Sequence, residues 1–181
     1  LLLNKTAGVN AVPGAGAVTI YNGGLLKYAG NNNMIADAVA VTINGTGQLD
    51  FNGASDTIGN VAIVAMGATT NPTPILNTAG GGTLTIGTLG ITPVAGYLSR
   101  INTGSGTLAL GGTVTFNAAT TGRAQISGNL DLNGANRSIA VGAGTGPDYD
   151  LNIDAVISGG AGLGLTMTGG RLRLSGANTY S

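Results

Sequence analysis

Seven aspartates are the only acidic residues in this chain, and it contains no histidine, cysteine or glutamate. That inventory settles much of the possible chemistry. Without histidine there is no Ser-His-Asp triad, and the familiar imidazole metal sites are excluded. Without cysteine there is no thiolate nucleophile. Carboxylate chemistry remains, because paired aspartates can hydrolyse glycosides or hold a hard cation through oxygen ligands. The densest group is Asp148, Asp150 and Asp154. Strand alternation would place Asp148 and Asp150 on one face, with Asp154 four residues on. The group follows the glycine-rich turn Gly142-Ala143-Gly144-Thr145-Gly146-Pro147. This is the candidate Ca²⁺ site. The Gly-Gly-x-Gly-x-Asp repeat of calcium-binding solenoids is absent, so the simpler expectation is a solvated strand face. We expect no catalytic residue, no required cofactor and no metal site.

The basic residues give equally little. Arg171 and Arg173 share a face in an alternating segment and could engage an acidic glycan, although such pairs ordinarily keep an exposed strand soluble or block its edge. A Ser-Lys pair would need Lys5 or Lys27, and neither lies in a recognisable motif. Gly80-Gly81-Gly82 lacks the Gly-Lys-Ser/Thr of a phosphate loop, and no helix signal follows it. Asn4-Lys5-Thr6, Asn44-Gly45-Thr46 and Asn136-Arg137-Ser138 match the glycosylation sequon, as chance allows in a chain rich in Asn and Thr.

What the sequence does specify is a scaffold. Gly170-Arg171-Leu172-Arg173-Leu174-Ser175-Gly176 reads G-x-L-x-L-x-G, a short alternating strand between two turn residues. The phrase recurs from Gly24, Gly47, Gly106 and Gly128, and in shortened form from Gly82. A degenerate copy, Tyr149-Asp150-Leu151-Asn152-Ile153-Asp154, fills the long gap before the last one. Ala17-Val18-Thr19-Ile20 precedes Leu26 as Ala40-Val41-Thr42-Ile43 precedes Leu49, with the same 23-residue offset. Val114-Thr115-Phe116 and Leu165-Thr166-Met167 look like later versions, and Val61-Ala62-Ile63-Val64 is an additional apolar strand. Two strands per unit, repeating at a period in the low twenties, are the signature of a solenoid whose units bury their apolar faces only by stacking. A Gly/Thr-rich antiparallel sandwich is the competing architecture.

The expected fold is therefore all-β: a right-handed parallel β-helix of roughly 20–24 residues per coil, as one domain over residues 1–181. About eight coils at ~4.8 Å each would make a rod of about 40 Å. Leu26, Leu49, Leu108, Leu130, Leu151 and Leu172 are expected to form one interior ladder. Asn52 and Asn133 either build an inward amide ladder or serve as turn residues. Met34-Ile35-Ala36-Asp37-Ala38-Val39 has room for one helical turn, and no segment reads as a convincing helix. The loops at 68–82, 91–97 and 142–147 are expected to leave the coil from one edge, where insertions are tolerated.

Composition narrows the partners. Charged residues make up 8% and the formal net charge is zero, which argues against an electrostatic grip on nucleic acid or an anionic membrane. No apolar run reaches the ~20 residues of a membrane helix, and with 4% aromatics and no Trp the girdles of a membrane barrel are missing. The absence of Cys suits a secreted protein. Leu1-Leu2-Leu3 and Tyr180-Ser181 carry no cap signal, so we expect the chain to continue into further coils or to stack end to end with other copies.

The last thirty residues add a resemblance. Ile157-Ser158-Gly159-Gly160-Ala161-Gly162-Leu163, followed by Gly169-Gly170-Arg171-Leu172-Arg173-Leu174-Ser175-Gly176-Ala177-Asn178-Thr179-Tyr180, resembles the autotransporter-associated β-strand repeat of bacterial surface proteins. The match is specific in Leu174–Tyr180. It departs in the middle, where Met167 or Thr168 stands at a usual Lys and the spacing of Gly162, Gly169 and Gly170 is irregular. The resemblance implies a right-handed β-helix exported to the bacterial cell surface, adhesin-like or structural rather than catalytic. Surface glycans or matrix molecules are its implied partners, and a carbohydrate-binding or carbohydrate-active β-helix is the alternative.

Overall fold

The structure, a computed structural model, describes residues 1–6, 8–14, 16–118, 121–146 and 148–180. Ala15 of the turn-rich segment after Ala11, Pro147 of the loop after Gly142, and the final Ser181 lie outside the described residues.

The described chain is all-β. In order its strands are β1 (Leu2–Leu3), β2 (Ala17–Ile20), β3 (Leu25–Tyr28), β4 (Ala40–Asn44), β5 (Gln48–Asp50), β6 (Asp56–Thr57), β7 (Val61–Val64), β8 (Ile75–Leu76), β9 (Thr83–Ile86), β10 (Leu89–Thr92), β11 (Leu98–Leu110), β12 (Val114–Phe116), β13 (Arg123–Asp131), β14 (Arg137–Val141), β15 (Leu151–Ile153), β16 (Val156–Ser158), β17 (Leu165–Gly169) and β18 (Leu172–Leu174). Every pairing between them is parallel, and each partner lies one coil away. This is a β-solenoid, and the antiparallel sandwich is excluded.

Three walls enclose the core. The first wall runs β1-β3-β5-β8-β11-β13-β15-β18. The second runs through β6 and β9 into the later halves of β11 and β13, and on to β16. β11 and β13 are long because they pass round the corner between these walls, where their register shifts between Asn102 and Thr107. The buried Thr103 hydroxyl takes up slack there by accepting the Asn129 N–H at 2.8 Å. The third wall is β2-β4-β7-β10-β12-β14-β17. Its seven rungs amount to about seven turns, one fewer than the repeat count suggested, and a stack of about 34 Å at ~4.8 Å per coil.

The offset between Ala17–Ile20 and Ala40–Ile43 is the actual register of β2 on β4. Val61–Val64, Val114–Phe116 and Leu165–Met167 are later rungs of the same wall. The 35-residue gap after Gly47 resolves as an additional rung, because Ile75 stacks on Leu49. Coil length varies around the low-twenties spacing. Val41 and Val61 are 20 residues apart, whereas Val61 and Leu89 are 28 apart, with the extra chain taken up by loops. Only part of the expectation for the loops holds: residues 65–74, 93–97, 142–146 and 148–150 lie between the third wall and the first, but β8 splits the 68–82 segment, and residues 77–82 lead from the first wall to β9 on the second.

The leucine ladder needs correction. Leu26, Leu49, Leu108, Leu130 and Leu151 are buried, and Leu172 is half-buried. They occupy three columns rather than one. Leu26 and Leu49 continue through Ile75, Ile101, Ile126 and Ile153 to Leu174. Leu84, Leu108 and Leu130 continue to Ile157 on the second wall. Leu151 lies between Ala124 and Leu172. Every G-x-L-x-L-x-G phrase makes an inward-facing strand, but the phrase is set on different walls in different coils, so equal phrases need not stack. Met34–Val39 forms no helical turn. Met34 and Ile35 are fully buried, and Ile35 bridges to Val12 in parallel.

Candidate functional site

The three clustered aspartates do not converge. Asp148 and Asp150 precede β15 rather than alternating within a strand, and Asp148 is exposed. Asp150 is 1% exposed and fully engaged. Its Oδ1 accepts the Gly144 N–H at 3.1 Å and lies 3.0 Å from Arg171 Nη2. Its Oδ2 accepts the Arg171 backbone N–H at 2.9 Å and Arg171 Nε at 3.3 Å. Burial alone would raise this carboxyl, but the Arg171 and Gly144 donors outweigh it and hold it below the usual carboxylate range. Asp154 accepts Gln125 Nε2 at 2.8 Å and Ser127 Oγ at 2.7 Å. No group of three potential metal ligands occurs among the described residues.

Two further aspartates serve the same end. Asp50, also 1% exposed, bonds across the coils: Lys27 Nζ lies 3.0 Å from its Oδ2, and the Thr78 hydroxyl donates at 2.6 Å. The N–H groups of Thr78 and Asn52 donate to its Oδ1 at 3.1 and 2.9 Å. Burial opposes ionisation here too, but the bonds from Thr78, Lys27 and Asn52 prevail and lower the pKa. Asp56 sits inside the core, where its Oδ2 accepts the Tyr28 hydroxyl at 2.8 Å and the Ile35 and Met34 N–H groups at 2.9 and 3.0 Å. For this carboxyl burial wins and the pKa is raised, while burial and then the Asp56 charge push the Tyr28 phenol far above its ordinary value. Sequence reasoning passed over Asp50 and Asp56. The Asp-x-Asn-Gly phrase at Asp50 and Asp131 was the available signal.

That phrase is a corner. Asn52 and Gly53 both have positive φ, 45° and 78°, and Ala54 N–H donates to the Phe51 carbonyl at 2.7 Å. Asn133 and Gly134 repeat this with φ of 54° and 67°. Two successive positive φ values make a type I′ turn. The preceding aspartates accept the Asn52 and Asn133 N–H groups. Asn52 and Asn133 are therefore turn residues, and no inward amide ladder forms. Arg137 clasps the second corner, donating to the carbonyls of Leu132, Asn133 and, one coil back, Gly111.

Other asparagines stitch one coil to the next. The side-chain carbonyls of Asn22, Asn60, Asn71 and Asn136 accept the N–H groups of Thr46, Thr88, Leu98 and Gly164 at 2.8–3.0 Å. Of the sequon residues, Asn136 is thus already committed. Asn178, in the segment that carries the resemblance, accepts the Ile157 N–H at 3.0 Å, and the Thr179 N–H donates to the Ile157 carbonyl at 2.9 Å.

The cations divide into used and unused. Among the described residues the ion pairs are Lys27–Asp50 and Arg171–Asp150. Lys5 is exposed, and Lys27 bonds to Asp50 and Thr78 rather than to a serine. Arg100, Arg123 and Arg173 have no such pair; Arg123 and Arg173 lie over the Tyr149 ring, and Arg100 stands three rungs from Arg173 on the first wall. The guanidinium carbon of Arg173 lies 4.2 Å from the Tyr149 ring centre, and that of Arg123 lies 5.3 Å away. Arg171 and Arg173, read as equivalent from alternation, thus have different roles: one is bound to Asp150, and the other is stacked and exposed. Two open concavities occur elsewhere among the described residues, one over Thr115, Ala140 and Thr168 on the third wall and one beside Leu1, Ile20 and Leu26 at the first end of the stack. No helix of the described chain is long and apolar enough to cross a membrane.

No family model, curated protein or solved structure matches the chain.

Proposed function

We propose that this chain is a non-enzymatic structural segment of an extracellular or cell-surface bacterial protein: a piece of an adhesin-like stalk, autotransporter passenger or fibre. The observation that carries the reading is the use made of the polar side chains. Asp50 and Asp150, the residues most able to do chemistry, are sealed into coil-to-coil bonds, and asparagine carbonyls are spent the same way. A catalyst keeps such groups facing a cleft where substrate can reach them. A stalk needs them between coils, since each coil is held only by its neighbours. The resemblance of the last thirty residues supports export and surface display, and the stitching by Asn178 and Thr179 gives a physical role to the residues that carry it.

The test has two parts. Purified protein incubated with a panel of plant, bacterial and animal polysaccharides should release no reducing ends. Antibody labelling of intact cells expressing the gene should reach the protein from outside. Saturable release of sugar from any polymer, or labelling only after permeabilisation, would overturn the reading.

A further inference from the structure

Arg123 and Arg173 meet over the Tyr149 ring, and neither they nor Arg100 forms an ion pair among the described residues. Arg100, Gln125, Asn152 and Arg173 are successive register partners on β11, β13, β15 and β18, so they form one column along the solenoid axis. The rungs are ~4.8 Å apart. Asn152 is buried, and its Oδ1 accepts Arg173 Nε at 2.9 Å, which fixes the guanidinium at the C-terminal end of the column. Gln125 is half-buried and is held by Asp154. Arg100 stands at the other end, and Arg123 flanks the column with its cation over the Tyr149 ring. The face thus offers cations at both ends of a short axial track, with half-buried Gln125 between them and the Tyr149 ring beside Arg123 and Arg173, while buried Asn152 serves to fix Arg173. Of its acids, Asp150 and Asp154 are engaged, and Asp148 is exposed on the preceding loop.

We propose that this face binds an acidic polysaccharide, a chain of carboxylate-bearing sugars lying along the solenoid axis. The rung spacing is close to the length of one sugar unit, so successive sugars meet successive coils. Guanidinium forks at Arg100 and Arg173 receive carboxylates in the bidentate geometry that suits them. The Tyr149 ring, with the Arg173 and Arg123 guanidinium carbons 4.2 and 5.3 Å from its centre, holds both cations on this face. Nucleic acid fits less well, because the chain is electrically neutral and has only 4% aromatic residues for stacking. The proposal rests on this face alone and is independent of the stalk reading. A passive stalk would show no saturable glycan binding, and a glycan-binding protein could still be displayed as a stalk.

The experiment is calorimetric titration of the intact chain with oligogalacturonates of increasing length. Their methyl-esterified counterparts and a single-stranded DNA oligonucleotide serve as comparison ligands. The expected result is saturable binding of the acid form that strengthens with length until the column is spanned, weakens with added salt, and disappears on esterification. Arg123→Gln with Arg173→Gln should weaken it at least tenfold, while Lys5→Gln leaves it unchanged. Arg100→Gln, which removes no side-chain bond among the described residues, should weaken it several-fold and gives a reading even if the double variant unfolds. Equal binding by the Arg100→Gln variant, no binding of the acid form, or tighter binding of DNA than of the uronate would each overturn the proposal.

Discussion

At the scale of single residues, the buried carboxylates set how this protein responds to acid. Asp50 and Asp150 have lowered pKa values in the fold, so their contribution to stability is complete above the unfolded value of about 3.9 and is lost as pH falls through the lower folded values. Asp56 has a raised pKa and acts in the opposite sense: its contribution is present below that unfolded value and fades as pH rises through the folded one. Asp150→Asn should therefore cost about 1–2 kcal/mol near neutral pH, the exposed side of Arg171 screening the rest, and should flatten the acid-side loss of stability. Denaturant melts at stepped pH check this, and an acid slope identical to that of the parent would count against it. Tyr28→Phe removes a buried donor to Asp56 and should cost about 1–3 kcal/mol by the same measurement.

At the scale of the element, the corners decide the coil. Two glycines with similar backbone angles separate conformational strain from crowding. Gly134 has φ of 67°, but a side-chain carbon there would meet nothing within 4 Å. Gly82 has φ of 71°, and a side-chain carbon there would collide with the carbonyls of Ala54 and Gly53 in the preceding coil. Gly134→Ala should cost only the left-handed backbone penalty, ~1–2 kcal/mol. Gly82→Ala adds a backbone clash that cannot relax without parting two coils, and should lower the melting temperature markedly more. Equal losses for the two variants, measured by thermal denaturation, would mean that coil spacing at Gly82 is adjustable.

At the scale of the whole molecule, stability is passed between neighbouring coils. Leu130 is fully buried between Leu108 and Ile157. Leu130→Ala should cost about 2–5 kcal/mol. Leu130→Asp should abolish folding, because an unpaired charge enters the core; loss of the β circular-dichroism signal reads this directly. Among the described residues, β1 and β2 pair on one side only at one end of the stack, and β17 and β18 do so at the other. The first end also exposes Leu1, Leu2, Tyr21 and Leu25. Expressed as residues 1–181 alone, the protein should associate with rising concentration. Sedimentation velocity showing a sharp monomer at high concentration would count against that.

The solenoid was legible in the sequence because a β-strand's inward positions repeat every second residue and a stacked coil must repeat its strand at a fixed interval. Ala17–Ile20 and Ala40–Ile43 carry both signals, and their offset is their register. The absence of histidine, cysteine and glutamate was legible too. What the sequence left open was the wall on which each repeat sits. Leu130 and Leu151 share a phrase but not a column, because β13 bends round a corner and sets Leu130 on the second wall, whereas Leu151 begins on the first. Periodicity counts residues along the chain, and a corner changes direction without changing the count. For the same reason only the tertiary structure could separate Arg171 from Arg173. Both alternate outward, but Asp150 and Tyr149, some twenty residues back in sequence, lie one coil away in space and receive one arginine each.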